Sequence, residues 1–163
     1  MKIRLRGLAD TDDAWIIARH EAHYAESDGF DGSFPVLVAK ILADFHRSHD
    51  PARERGWIAE DAQGSRMGSI FCVTEAPDTP DVAKLRLFYV EPVARGTGLA
   101  QTMLETCVGF ARVTGYGRIR LWTHESHIAA GRLYDRNGFV LTDSRAAVSF
   151  GQNVVAQAWE RVL

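Results

Sequence analysis

The stretch LRLFYVEPVARGTGLAQ, residues 85–101, begins as an apolar strand, crosses a proline and ends in a glycine loop that opens a helix. Its chemical content lies in Arg95-Gly96-Thr97-Gly98-Leu99-Ala100. Gly96 and Gly98 tolerate positive φ and let a ligand approach the main chain closely. The helix is predicted to start at about Gly98. Its first turn leaves backbone N–H groups without intrahelical partners, and its dipole is positive at that end. With Arg95 beside them, these groups suit a phosphate or pyrophosphate. Two glycines and an arginine alone describe an ordinary strand-to-helix turn equally well. Two phosphate loops do not fit. A Walker loop needs a lysine after its second glycine, which is missing here. A dinucleotide fingerprint needs G-x-G-x-x-G directly after the strand, but its third glycine position is Gln101, and Glu91 to Arg95 intervene between Val90 and Gly96.

Downstream of the loop, Ala100, Leu104, Val108 and Ala111 recur at helical spacing, with Met103, Cys107 and Phe110 beside them. This predicts a helix over 98–114 with a wide apolar stripe, closed by Gly115. Arg118 to Thr123 alternates and reads as a strand, so strand, helix and strand form a βαβ unit with parallel strands and a right-handed crossover. Ser126 is placed to cap a further helix ending at Asn137-Gly138. Strands follow at 139–142 and 154–162, with Val155, Gln157 and Trp159 on one face of the last. Upstream of the loop, 83–90 is the central strand. A hairpin pairs 57–60 with 67–75 across Asp61-Ala62-Gln63-Gly64. KIRLR at 2–6 alternates as a first strand. A helix capped by Asp10 runs to about Glu26, with Ile17, Glu21 and Tyr24 near one face, and Leu37, Val38, Ile41, Leu42 and Phe45 mark a second over 33–48.

Composition excludes several classes. The 163 residues suffice for one domain with a sizeable core, expected to span 1–163. Nineteen basic against 21 acidic residues give a formal charge of −2, so no basic excess points to nucleic acid or a membrane. Cys72 and Cys107 form no C-x-x-C pair and read as reduced core thiols; no metal site is expected. The N-terminus lacks a signal-like apolar run, and no stretch of about 18 apolar residues is present, so a cytoplasmic protein is expected.

Two motifs carry a family resemblance. Val90-Glu91-Pro92 followed by Arg95-x-x-Gly98-x-Ala100 resembles the acetyl-coenzyme A loop of the GNAT superfamily of N-acetyltransferases, R/Q-x-x-G-x-G/A after a strand ending V-x-P. Ala130-Gly131-Arg132-Leu133-Tyr134, then Gly138-Phe139, resembles the family's A-x-x-L-Y helix ending in G-F. The chain looks closest to the acetyltransferase halves of MarR-type regulator fusions. The resemblance implies an α/β (α+β) fold: a mixed, mostly antiparallel central sheet of about six to seven strands, about four helices and a central βαβ acetyl-CoA unit.

The resemblance also implies an activity, acetyl transfer from acetyl-CoA to a primary amine of a small molecule or peptide by direct attack in a ternary complex. The cofactor would be held by Arg95, Gly96, Thr97, Gly98, Leu99, Ala100 and Gln101. The backbone of Phe88, Tyr89 and Val90 would pair with its pantetheine arm, and Ala130 and Tyr134 would contribute from the second motif. Tyr134 matches the tyrosine that protonates the departing thiolate. The chain departs from the family at His127, where asparagine often contacts the pantetheine; histidine also donates a hydrogen bond. The first two helices would shape the acceptor site, where His20, His23 and Tyr24 are either lining groups or an ordinary polar face. Glu125, His124, Glu21 and His20 are all candidates for the general base. GNAT proteins commonly pair as homodimers, and an exposed last strand bearing Val155 and Trp159 suits such pairing. A non-catalytic acyl-CoA-binding module is the alternative function.

Overall fold

The computed structural model describes every residue, Met1–Leu163. Seven strands and four helices follow in the order β1 (Ile3–Gly7), α1 (Asp13–Asp28), α2 (Ser33–Ser48), β2 (Arg55–Asp61), β3 (Arg66–Thr74), β4 (Val82–Val90), α3 (Leu99–Val113), β5 (Arg118–His124), α4 (Ile128–Arg136), β6 (Val140–Ser149) and β7 (Gln152–Val162). The strands form one sheet in the order β1-β2-β3-β4-β5-β7-β6. It is mixed: β4 and β5 run parallel, whereas β1–β2, β2–β3, β3–β4 and β6–β7 are antiparallel. This is the expected fold class, with the expected βαβ unit formed by β4, α3 and β5. Contacts divide the residues into two compact units, one of Met1–Leu8, Asp50–Arg120 and Arg161–Leu163, the other of Ala9–His49 and Leu121–Glu160.

In the first unit, β3 is buried along nearly its whole length, and α3 packs on β3 and β4. Met103, Leu104, Cys107 and Ala111 of α3 are fully buried with Ile70, Phe71, Cys72 and Ile119. Each large apolar side chain buried this way contributes about 1.5–3 kcal/mol. Gly68 permits the close fit: a Cβ there would lie 2.7 Å from the Tyr89 carbonyl oxygen and 3.0 Å from Met103 Sδ. Both cysteines are free and buried. The Cys72 side chain, reinforced by burial, holds the Cys107 thiol well above its ordinary range, which keeps it protonated and unreactive.

One irregularity bears on the loop. The β3–β4 ladder shifts register between Ser69 and Phe71. Opposite the shift, Leu87 adopts φ +48°, and its carbonyl accepts a 2.7 Å hydrogen bond from Ser69 Oγ. A non-glycine residue with positive φ is uncommon, and a bulge turns the strand locally. The ladder between β4 and β5 covers only Val82, Ala83 and Lys84, so the part of β4 leading to the glycine loop is not laddered to β5.

The second unit holds α1, α2, the end of β5, α4 and the β6–β7 hairpin. Ile16, Val38 and Leu42 are buried from α1 and α2, and Leu121, Leu133, Tyr134, Phe139 and Ala158 from the rest. Gly29 ends α1 in the left-handed conformation, its N–H reaching the Ala25 and Tyr24 carbonyls.

Several sequence expectations are corrected. A 3-10 turn, Asp10–Asp12, precedes α1, and Asp12 rather than Asp10 closes it, its carboxylate accepting the Ala9 N–H at 2.8 Å. The buried face of α1 is set by Ile16 and His20, and Glu21 is exposed. Ser126 does not cap α4: the residue before the helix is His127, and no side chain caps the start. β6 extends to Ser149 rather than ending at Thr142. Its pairing, from Asp143↔Ala158 to Ser149↔Gln152, rests on the ladder to β7, because Asp143-Ser144-Arg145-Ala146-Ala147 has little strand propensity of its own. Nor is the last strand an edge. β7 lies between β5 and β6, and β6 is the edge, with Val140 and Val148 exposed.

Candidate active site

In the first unit, β4 hands over to α3 through a short connection. Pro92–Ala94 forms a 3-10 turn, Pro fitting its first position. Arg95 is exposed and folds back, its Nε donating to the Val90 carbonyl at 3.2 Å. Thr97 Oγ1 donates to the Ala94 carbonyl at 2.5 Å. Gly96 and Gly98 have φ of +74° and +86°, and a Cβ on either would meet no protein atom within 4 Å. The loop therefore needs glycine for its backbone shape, and both glycines face open space. Leu99 is buried and anchors the start of α3; Ala100 and Gln101 are half-buried. No side chain caps this helix, and its first intrahelical bond runs from the Thr102 N–H to the Gly98 carbonyl. An uncapped helix start behind two positive-φ glycines and beside an arginine is a site for a phosphate-bearing ligand. Tyr89 and Val90 pair with Ser69 and Gly68 of β3, and Phe88 and Val90 are half-buried.

In the second unit, α4 presents Ala130, half-buried, and Tyr134, buried against Phe139 and Trp159 with ring centroids 5.6 and 6.3 Å away. His127, expected to stand in for an asparagine, has both ring nitrogens engaged: Nδ1 lies 3.2 Å from Thr123 Oγ1 and Nε2 2.5 Å from Asp28 Oδ2. His124 joins them, its Nδ1 buried without a hydrogen bond and 4.0 Å from Asp28 Oδ2. Burial lowers the His124 pKa and His127 lowers it further, against the opposing pull of the Asp28 carboxylate. Of the candidate bases, His124 is thus held toward its neutral form, while Glu125 and Glu21 are exposed. Sequence reasoning missed Asp28, because no local spacing links it to residues nearly a hundred positions on.

Aromatic rings surround this cluster. Tyr24 lies 5.6 Å from His127 and 4.9 Å from Phe34, and Phe30 lies 5.5 Å from His124. Phe150, at φ +51°, packs 4.9 Å from both Phe30 and Phe34, its carbonyl accepting the Asp31 N–H at 3.0 Å.

His20 is 2% exposed and its Nδ1 hydrogen-bonds the Ile16 carbonyl at 2.8 Å. Burial lowers its pKa from 6.5 to about 4, although the bond to Ile16 opposes the shift. The buried ring is therefore neutral at pH 7, while below pH 6.5 the unfolded chain takes up a proton that the folded chain refuses until about pH 4. This stability is complete above pH 6.5 and lost as pH falls toward 4, by on the order of 3 kcal/mol. Urea unfolding at pH 7 and pH 4 should show a loss smaller by about that amount in His20→Gln, which cannot titrate; equal losses in both proteins would contradict the assignment.

The profile of the Acetyltransferase (GNAT) family matches residues 16–139. An uncharacterized N-acetyltransferase of Schizosaccharomyces pombe is 27% identical over 135 residues, 82% of this chain and 78% of that protein. Among solved structures, a GCN5-related N-acetyltransferase from Kribbella flavida superposes with a TM-score of 0.80 at 21% identity, over 99% of this chain and 98% of that one. The yncA protein of Salmonella typhimurium, solved with its cofactor acetyl-CoA, superposes with a TM-score of 0.81 at 18% identity, over 98% of this chain and 93% of that one. These two likenesses bear on the fold. No helix is long and apolar enough to cross a membrane. The narrower likeness to MarR-type fusions rests on sequence alone.

Proposed function

Because the chain belongs to the GNAT acetyltransferase family, we propose that it transfers an acetyl group from acetyl-CoA to a primary amine of a small molecule or peptide, with residues 1–163 acting as one catalytic domain. The observation that carries this reading is the uncapped start of α3 behind Gly96 and Gly98, with open space where each glycine would bear a Cβ. In this reading the N–H groups of that turn, together with Arg95, bind the pyrophosphate of acetyl-CoA. The segment of β4 beyond Lys84 supplies main-chain groups to the pantetheine arm, and a donor among Phe88, Tyr89 and Val90 polarises the thioester carbonyl.

A neutral amine then attacks the thioester carbonyl carbon. The C–N bond forms, the tetrahedral oxyanion collapses and the C–S bond breaks. Tyr134 gives its phenolic proton to the departing coenzyme A thiolate, and the surplus ammonium proton is relayed through solvent to the phenolate, restoring the tyrosine. Holding thioester and amine together supplies the orientation that such a bimolecular step otherwise lacks. Two copies would pair through the β6 edge to make a homodimer.

Acetyl-CoA-dependent release of free thiol, measured across a panel of primary amines and peptides with free N-termini, tests the reading and identifies the acceptor. Thiol release that depends on at least one amine is the expected result. Tight acetyl-CoA binding with no turnover on any of them would instead favour an acyl-CoA-binding module.

A further inference from the structure

The second unit carries a cluster to which the proposed acetyl transfer assigns no step. Asp28 ends α1, His124 ends β5 and His127 precedes α4. One ligand atom from each lies within 4.8 Å of the other two. The individual separations are 2.5 Å from Asp28 Oδ2 to His127 Nε2 and 4.0 Å from Asp28 Oδ2 to His124 Nδ1. Tetrahedral ligands at zinc-like bond lengths stand about 3.3 Å apart, so shifts of under about 1 Å would bring these two pairs to that spacing.

A second observation is independent of the distances. His124 Nδ1 is buried and no protein group hydrogen-bonds it, a costly condition for a polar atom unless something else meets it. It is turned toward a carboxylate that already faces a second imidazole. A third observation is the support behind the cluster. Thr123 Oγ1 contacts His127 Nδ1 at 3.2 Å, and an outer partner of this kind orients a ligating imidazole with its other nitrogen toward the metal. The side chains of Asp28, His124 and His127 are 9%, 15% and 22% exposed, so the cluster is enclosed yet open to entry from solvent.

We propose that Asp28, His124 and His127 bind one divalent transition-metal ion of the zinc class, with two imidazole nitrogens and one carboxylate oxygen as protein ligands and the remaining position open to water. Two imidazoles beside a single carboxylate select Zn²⁺, Co²⁺ or Ni²⁺ over Mg²⁺, which demands oxygen ligands. The ion displaces any proton shared between His127 and Asp28 and gives His124 Nδ1 its partner. It also ties the end of α1 to the turn between β5 and α4. The sequence alone raised no expectation of a metal, because the ligands come from two segments far apart in the chain.

Metal binding to the tag-free protein tests this directly, whatever the acetyl acceptor proves to be. Titration calorimetry with Zn²⁺ should show one ion per chain, and Co²⁺ should produce visible absorption bands of a low-coordinate nitrogen–oxygen site. Asp28→Asn and His124→Ala should each weaken Zn²⁺ binding at least about 10-fold, with melting temperatures measured without metal reporting that each variant is folded. Asp28→Asn is nearly isosteric and remains informative if His124→Ala fails to fold. His46→Ala removes the histidine that contacts Asp13 elsewhere in this unit and should leave binding unchanged. Mg²⁺ should not compete. Absence of stoichiometric binding, equal affinity in wild type and Asp28→Asn, or loss in His46→Ala alone would each overturn the proposal.

Discussion

Tyr134→Phe should lower kcat by at least about 10-fold while leaving acetyl-CoA affinity nearly unchanged. A phenol with an ordinary pKa of about 10 is protonated at neutral pH and able to donate. General acid assistance of this kind is typically worth about 10²–10⁴-fold in rate. The residue is 5% exposed on α4, with its ring against Phe139 and Trp159. Phenylalanine keeps those ring contacts and removes only the hydroxyl, so the expected stability change is about 1 kcal/mol. The loss should appear in kcat and in kcat/KM for the amine alike, since the proton is needed only as the C–S bond breaks. Turnover must be measured where chemistry limits the rate, for which single-turnover thiol release is suited. Wild-type turnover in a folded Tyr134→Phe protein would return the residue to a packing role.

The second large effect concerns Gly98. Gly98→Val should lower acetyl-CoA affinity at least about 10-fold, a change of about 1.4 kcal/mol, with the overall fold retained. At φ +86° a β-branched residue is strained, and relief of that strain would redraw the loop that starts α3. The added side chain meets no protein atom within 4 Å of its Cβ, so it creates no packing clash and instead fills the space where a ligand reaches the main chain. Gly98→Ala should fall between wild type and valine, because it carries the φ penalty with less bulk. Calorimetric titration of the folded variants with acetyl-CoA measures both. Unchanged affinity in Gly98→Val would remove this loop from cofactor binding.

Much of the architecture was legible because its determinants are local. The apolar stripe from Ala100 to Ala111 and the glycines on either side bracket α3 to within a residue of its observed bounds, Leu99–Val113. Leu37, Val38, Ile41, Leu42 and Phe45 likewise mark α2. Strand 83–90, helix and strand 118–123 lie in sequence, and the single right-handed way of joining them made the parallel pair predictable. The glycine loop was readable for the same reason. Its shape requires two positive-φ residues within three positions, Gly96 and Gly98, and glycine is the residue that supplies them without strain.

What sequence alone determined is therefore the βαβ unit, its glycine loop and the helix bearing Tyr134, each encoded by side-chain period and backbone permission within a short segment. Only the tertiary structure decided the rest. β7 lies between β5 and β6, and β6 continues to Ser149, because a ladder to a neighbouring strand holds residues with little strand propensity. Leu87 and Phe150 take positive φ without being glycine, held by hydrogen bonds from Ser69 and Asp31. Asp28 meets His124 and His127 across nearly a hundred residues of chain. In each case the controlling partner is distant in sequence, and hydrogen-bond registry and burial, which bring such partners together, leave no periodic trace in the local order of residues.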